Sequence, residues 1–307
     1  MYAQKNNLSW KLHGCKWPNH AHSRMVDVGA QRWHVQQFGQ GPDLVLLHGT
    51  GASVHSWGKL AGLLASDFSL TIVDLPGHGF TSAPRAQFMS LPGFSQLVAK
   101  LLSHLQVEPR AIIGHSAGVA IAVRIALDKL SKPDMIIGIN PALLPFPGPA
   151  RMIFPAIARL LFMNPVTPRL LSWRAQKTAV VNRLLEGTGS QIDAQSLELY
   201  ALLFQSPQHV QATLAMMANW HLERLTSDLL GLEIPLDMII GGSDMTIPPE
   251  AADRVAEIVA LTRIELIPRR GHLVHEEDPV TVAQCIRKLI DNRAIDETEL
   301  PAGKAAN

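Results

Sequence analysis

A serine flanked by glycines marks the first candidate for chemistry. Gly114-His115-Ser116-Ala117-Gly118 fits the pattern G-x-S-x-G, between an apolar run at Ala111–Ile113 and an apolar helical segment at Ala117–Leu127. This is the strand-turn-helix context of a nucleophile elbow, where the serine occupies a strained turn and the glycines let the backbone pass closely. We therefore expect Ser116 to be a nucleophile and His115 to contact substrate.

A serine hydroxyl needs a base to accept its proton, and that base needs a carboxylate to fix its tautomer. Asp244 comes shortly after the apolar run Leu236–Ile240, and His272 comes shortly after the run Ile264–Ile267. We expect Asp244 to orient the base and His272 to be the base. His275 is the alternative base, but it lies three residues further on, at the start of the last predicted helix. His272 is therefore preferred.

The loop after the first parallel strand could stabilise the negative charge that acyl transfer places on oxygen. Backbone N–H groups aimed at such an oxyanion each contribute about 3 to 4 kcal/mol. We expect one donor to be the N–H of Ala117, and the other to come from His48-Gly49-Thr50-Gly51. Thr50 is the first choice there and Gly51 the second, while an ordinary glycine-rich turn is the alternative reading.

The elements that must position these residues follow an alternating pattern. Short runs that are apolar on both faces are typical of buried parallel strands, and helical patterns separate them. Residues 24–29 and 31–38 predict an antiparallel pair in front of this alternation. The predicted parallel strands are 44–47, 70–73, 111–113, 135–139, 236–240 and 264–267.

The alternation stops near Pro141 and resumes near Pro235, which predicts an inserted helical lid. We expect an N-terminal extension at 1–23, a core at 24–140 and 229–292, the lid at 141–228 and a flexible tail at 293–307. The lid is rich in large apolar side chains, which suit a broad apolar pocket unless they form the lid's own packing core. The expected substrate contacts in the lid are Phe146, Phe154, Met216 and Met217.

Composition excludes several classes of function. The formal net charge is +1 with scattered Lys and Arg, which excludes nucleic acid as a partner. No signal-peptide core and no apolar run of 18 residues appears, which predicts a cytoplasmic protein without a transmembrane segment. His13, Cys15, His20 and His22 match no zinc signature, so neither a metal nor a cofactor is expected.

These motifs together resemble the α/β-hydrolase superfamily over residues 24–292. The resemblance implies a mostly parallel central sheet flanked by helices, with an inserted helical lid. Relatives with epoxide hydrolase or dehalogenase activity carry aspartate at the elbow, so Ser116 implies esters, amides, thioesters or activated C–C bonds instead. The segments that carry the resemblance are His48–Gly51, Asp74–Gly79, Gly114–Gly118, Gly241–Asp244 and Gly271-His272 with Glu277 and Pro279.

A narrower resemblance lies outside the catalytic motifs. It is to the hydrolase-like accessory proteins of magnesium chelatase in bacteriochlorophyll biosynthesis, and it implies a tetrapyrrole pathway without fixing a reaction. His221 stands where an acidic residue is expected, which leaves the role of that part of the lid open. The segments concerned are Trp17–Asn19, Trp33–Gln36, His48–Trp57, Thr188–Asp193 and Met216–Trp220.

Three functions are compatible with these residues. The first is a serine hydrolase for a bulky apolar acyl substrate, including a tetrapyrrole carboxylic ester. The second is an accessory or porphyrin-carrier protein that docks on magnesium chelatase subunits and leaves the triad unused. The third is a hydrolase of C–C bonds in ring-cleavage products. The intact set of Ser116, His272 and Asp244 favours the first.

Overall fold

The computed structural model describes residues 8–145, 157 and 159–299. In this part of the chain the strands are β1 (Ser23–Val28), β2 (Gln31–Gly39), β3 (Asp43–Leu47), β4 (Ser69–Val73), β5 (Ala111–His115), β6 (Met135–Ile139), β7 (Leu236–Gly241) and β8 (Ile264–Ile267). They form one sheet in the order β1-β2-β4-β3-β5-β6-β7-β8. β2 pairs antiparallel with both β1 and β4, and all other pairs are parallel.

The central strands are buried on both faces, as their continuous apolar runs predict. In β3, Val45 and Leu46 are both fully buried, and Leu46 aligns with Ile72 of β4 and with Ile113 of β5. Each strand expected from the sequence is present with bounds that differ by at most two residues. The predicted α/β-hydrolase architecture is therefore confirmed.

Helices cover both faces of the sheet. Leu60 and Leu64 of α2 pack with Leu289 of α12 in one core cluster, while α3 packs against α4 in the other. The described helices are α1 (Trp10–His13), α2 (Gly58–Leu64), α3 (Leu91–Leu105), α4 (Ala117–Leu127), α5 (Thr167–Arg174), α6 (Thr178–Glu186), α7 (Ala194–Phe204), α8 (Pro207–Ala218), α9 (Glu223–Asp228), α10 (Ala251–Ala256), α11 (Val274–Glu277) and α12 (Pro279–Glu299).

The insertion between β6 and β7 is helical where the structure describes it. It contributes α5 to α9, with residues 159–163 also helical. α5 packs on α8, and α6 packs on α7. None of the described helices is long and apolar enough to cross a membrane.

The N-terminal segment packs onto the sheet. Trp17 is 1% exposed, and its indole N–H donates to Ser53 Oγ at 3.2 Å. Buried His34 of β2 bridges Ser23 Oγ, 3.0 Å from its Nε2, and Asp74 Oδ2, 2.7 Å from its Nδ1. Asp74 also accepts the backbone N–H of Val54 at 2.7 Å. The turn after β4 is thus tied to both the N-terminal segment and the loop after β3.

The predicted tail at 293–307 is wrong at its beginning, because α12 continues to Glu299. Arg293 is only 9% exposed, and its guanidinium binds the fully buried carboxylate of Asp237 on β7. The Nη2–Oδ1 distance is 2.5 Å and the Nε–Oδ2 distance is 3.1 Å. The apolar periodicity of the last helix stops near residue 292, and the sequence gives no sign of the ion pair with Asp237. The end of the helix is therefore predicted too early.

Arg293→Ala should destabilise the fold strongly, because it leaves the Asp237 carboxylate buried without its cation. Breaking a buried pair of this kind costs about 3 to 5 kcal/mol. Arg287→Ala is the matched control on the same helix, since its pair with Asp67 lies at the surface, where solvent screens it and little stability depends on it. Urea unfolding monitored by circular dichroism measures both. Equal losses in the two variants would contradict this account.

Candidate active site

The turn between β5 and α4 holds Ser116 in a conformation that is rare for a side-chain-bearing residue. Its φ is 52° and its ψ is −116°. The Ser116 N–H donates to the carbonyl of Ile139 at 2.9 Å. A Cβ at Gly114 would lie 2.4 Å from Val119 N, and one at Gly118 would lie 2.2 Å from Leu47 O. Both glycines of the motif are therefore needed for close packing of this turn.

Asp244 and His272 are paired beside this turn. His272 Nδ1 lies 2.7 Å from Asp244 Oδ2, and both residues are 6% exposed. The other carboxylate oxygen accepts the backbone N–H groups of Thr246 at 2.7 Å and Ile247 at 2.9 Å. Because Asp244 accepts the hydrogen on Nδ1, the neutral imidazole presents Nε2 as an acceptor. Ser116 and His272 line the same cavity.

Two side chains fix the loop that carries His272. Asn140 follows β6 and donates to the carbonyls of His272 at 2.8 Å and Gly271 at 3.1 Å, while its Oδ1 accepts the N–H of Gly241 at 2.8 Å. His115 Nε2 donates to the carbonyl of His272 at 2.9 Å. His115, expected to contact substrate, is 3% exposed, and it borders the cavity while it positions this loop.

A strap from the lid packs on the same loops. Thr188 accepts backbone N–H groups from Met245 at 3.1 Å and His272 at 3.3 Å, and Ser190 Oγ accepts the N–H of Leu273 at 2.8 Å. Gly189 has a φ of 81°, and a Cβ there would lie 2.2 Å from Ser243 O. Sequence reasoning noted this segment only as part of a family resemblance. The run Gly187-Thr188-Gly189-Ser190 after a helix is the available signal for a turn.

A cavity of about 850 Å³ opens above Ser116, in the range of sites that bury small organic ligands. Its walls come from the loop after β3, the elbow and helices α5 to α9. Most of the lining is apolar, and two arginines, Arg174 and Arg183, also line it. The apolar lining residues from the lid include Leu171, Val180, Val181, Leu184, Leu185, Phe204, Leu214, Met217, Trp220 and Leu222.

The three residues expected to supply oxyanion donors all line this cavity. They are Thr50, Gly51 and Ala117. The loop lies close over the elbow, since a Cβ at Gly49 would be 3.1 Å from Ser116 Cβ. Among the residues that the structure describes, none accepts the backbone N–H of Thr50, Gly51 or Ala117. These donors are available to a ligand oxygen.

The four lid residues that we expected to contact substrate differ in where the structure places them. Met217 is 44% exposed and lines the cavity. Met216 is wrong as a substrate contact, because it is 1% exposed in the core and its sulfur accepts Thr50 Oγ1 at 3.5 Å. Consecutive helical residues point about 100° apart, and on α8 it is Met217 whose side chain lines the cavity. Phe146 and Phe154 lie outside the described residues.

His275, the alternative base, lies in a buried polar cluster behind the cavity. Its Nε2 lies 2.8 Å from Ser56 Oγ, and its ring centroid lies 4.4 Å from that of His115. The same Ser56 hydroxyl donates to Glu276 at 2.5 Å, and Tyr200 donates to that carboxylate at 2.7 Å. The structure thus brings His272, and not His275, to Asp244.

Comparison with known proteins agrees with this architecture. Residues 44–284 match the model of the alpha/beta hydrolase family. The chain belongs to this family. A solved α/β hydrolase fold protein from Burkholderia ambifaria superposes with a TM-score of 0.71 at 23% identity, covering 87% of this chain and 100% of that one.

Two relatives of this α/β hydrolase have descriptive names. It is 37% identical over 262 residues to the magnesium-chelatase 30 kDa subunit of Rhodobacter capsulatus, covering 85% of this chain and 91% of that protein. This match confirms the narrower resemblance seen in the sequence. It is also 30% identical over 210 residues to pimeloyl-(acyl-carrier protein) methyl ester esterase of Aeromonas hydrophila, covering 67% of this chain and 70% of that protein.

Burial keeps a group of histidines uncharged around the site of this α/β hydrolase. Desolvation lowers the pKa of each, to about 3 for His55 and His275 and to about 4 for His209. Burial also raises the pKa of the Glu276 carboxyl to about 7. The histidines whose pKa burial lowers are His48, His55, His78, His115, His209 and His275.

We expect stability to fall steeply as the pH drops below 6.5. The unfolded chain protonates these histidines near their ordinary pKa while the folded chain does not, so each costs about 1.4 kcal/mol per pH unit. Glu276 acts oppositely between pH 4.5 and about 7, because the folded state then holds the extra proton, and it offsets one histidine. The histidines outnumber this one opposing carboxyl, so the net stability should fall as the pH drops from 6.5 towards 5.

Chemical unfolding at several pH values between 5.5 and 7.5 measures this slope. His275→Gln should lower the slope by about 1.4 kcal/mol per pH unit, because the unfolded chain then takes up one proton fewer. The matched control is His104→Gln, on the exposed surface of α3, which should leave the slope unchanged. The same slope in both variants would contradict the conclusion that His275 stays uncharged in the folded protein.

Proposed function

We propose that this protein is a serine hydrolase that cleaves a carboxylic ester of a bulky apolar acyl substrate. The observation that carries the proposal is the paired Asp244 and His272, with 2.7 Å between Oδ2 and Nδ1, beside Ser116 in a strained turn that opens into an apolar cavity. The named esterase relative from Aeromonas hydrophila supports ester chemistry over amide or C–C bond chemistry.

In the proposed reaction His272 Nε2 accepts the Ser116 hydroxyl proton as Oγ attacks the ester carbonyl carbon. The negative charge moves to the carbonyl oxygen, which the N–H groups of Ala117 and Thr50 stabilise, with Gly51 next to them as the alternative donor. Collapse expels the alcohol, which takes the proton from His272 and leaves an acyl group on Ser116. Water, deprotonated by His272, then attacks this acyl group and releases the acid.

Asp244 acts through His272 in this scheme. Its carboxylate holds the hydrogen on Nδ1 and stabilises the imidazolium that forms during the attack. The N–H groups of Thr246 and Ile247 hold the other carboxylate oxygen, so the carboxylate cannot rotate away from the ring. The carboxylate plane and the ring are therefore oriented before substrate arrives.

Ser116→Ala should reduce the hydrolysis of p-nitrophenyl esters by about 10⁴-fold or more in kcat, because no nucleophile remains. Asp244→Asn should reduce it by about 10⁴-fold with little change in KM, because the amide favours the wrong imidazole tautomer. Ser103→Ala, an exposed position on α3, is the matched control and should keep the wild-type rate. Equal rates in wild type and Ser116→Ala would overturn the proposal.

A second candidate function rests on the 37% identical magnesium-chelatase 30 kDa subunit. In that case the chain assists magnesium chelatase as an accessory or porphyrin carrier and does not use Ser116. The same relative also bears on the hydrolase proposal, because it points to a tetrapyrrole ester as the substrate. The cavity supplies the apolar walls that such a macrocycle requires.

Magnesium insertion by chelatase, measured with wild type and Ser116→Ala protein, separates the two functions. If the protein acts as a hydrolase, any effect of wild type on magnesium insertion should be absent with Ser116→Ala protein. A pure accessory protein should stimulate insertion equally in both forms, because Ser116→Ala removes one oxygen and leaves the surface unchanged. Equal stimulation would favour the second candidate.

A further inference from the structure

The rim of the cavity exposes an unusual number of large apolar side chains. Val180 and Leu184 on α6 are 44% and 56% exposed, and Met217 at the end of α8 is 44% exposed; all three line the cavity. On α5, Leu170 is 48% exposed and Trp173 is 62% exposed, and their neighbours Leu171 and Arg174 line the same cavity. We call these five exposed residues the lid rim: Leu170, Trp173, Val180, Leu184 and Met217. Clustered exposed apolar side chains mark interaction surfaces in soluble proteins.

The apolar surface extends into the residues that precede α5. Leu160 is 71% exposed, Met163 is 70% exposed and Val166 is 60% exposed. Single exposed apolar residues need no explanation, but a series of them in consecutive helical segments, three of which line one cavity, does.

Basic side chains outnumber acidic ones around the lid rim, although Glu186 ends α6 and Glu223 lines the cavity. From residue 157 to residue 185 the sequence contains five basic residues and no Asp or Glu, in a protein whose formal net charge is only +1. Arg174 and Arg183 lie at the cavity itself. No ion pair within the described residues involves these basic side chains. The five are Arg159, Arg169, Arg174, Lys177 and Arg183.

We propose that the lid rim docks on the surface of an anionic lipid bilayer, with the cavity opening towards the lipid. Exposed Trp and Leu side chains insert at the boundary between headgroups and acyl chains, and interspersed Lys and Arg bind lipid phosphates. The basic side chains complement a uniformly negative surface. An apolar substrate dissolved in the bilayer then reaches Ser116 without crossing water. The docking itself does not depend on the hydrolase activity.

Flotation of the whole protein with phospholipid vesicles tests the docking. Wild type should float with vesicles of 70% phosphatidylcholine and 30% phosphatidylglycerol, and far less with pure phosphatidylcholine. Arg169→Gln and Lys177→Gln should each weaken partitioning about fivefold, since one cation near an anionic membrane is worth about 1 kcal/mol. Trp173→Ser should weaken it roughly tenfold through the loss of buried apolar area.

Matched control variants come from the amino ends of the parallel strands, opposite the ends that carry the cavity. Leu130 is 39% exposed and Lys132 is exposed, and both lie before the amino end of β6, away from the cavity. Leu130→Ser and Lys132→Gln should leave partitioning unchanged. Circular dichroism of every variant shows whether the fold is retained.

Several results would overturn the docking. They are no binding of wild type to anionic vesicles, equal binding to both kinds of vesicle, or an equal loss in the control variants. Binding that responds to Arg169→Gln but not to Trp173→Ser would show charge attraction without insertion, and would equally overturn it. Ester hydrolysis in vesicle-free buffer is measured in parallel, so a failure of docking is distinguished from a failure of the proposed hydrolase.

Discussion

The strained turn at Ser116 is the constraint on which the rest of the site depends. A φ of 52° persists because the N–H of Ser116 is held by Ile139 and because α4 begins in contact with the end of β3. The space between Gly118 and Leu47 is too small for a Cβ. Close packing at this point brings the loop containing Thr50 over the serine. One set of backbone contacts therefore places both Ser116, the proposed nucleophile, and the loop proposed to supply oxyanion donors.

Asp244 and His272, the proposed partners of Ser116, are held by hydrogen bonds from both side chains and backbone groups. Asn140, at the end of the strand next to the elbow, bonds to the backbone of both β7 and the His272 loop. The lid strap at Thr188 and Ser190 bonds to the same loop from the other side. The lid consequently helps to fix the orientation of His272, the proposed base, besides forming walls of the cavity.

The sequence pattern predicted the features of the fold that depend on neighbouring residues in the chain. The apolar strands, the elbow and the positions of Asp244 and His272 after strands follow from runs of neighbouring residues. The errors share a non-local cause. The pairing of Arg293 with Asp237 extends the last helix beyond its apolar period, and the rotation of α8 decides that Met217 and not Met216 faces the cavity. The strap at Thr188 acquires its role only when the lid folds back on the core.

The four large apolar side chains of α6 form one face of the helix, and the core covers only part of that face. On α6, Val181 and Leu185 are buried while Val180 and Leu184 are exposed, although all four border the cavity. An apolar face of this kind is favoured where it is removed from water. The core covers one side of α6. In the proposed docking, the substrate and the bilayer cover the remainder, so one helix would both bind the apolar ligand and open its cavity to the phase that contains it.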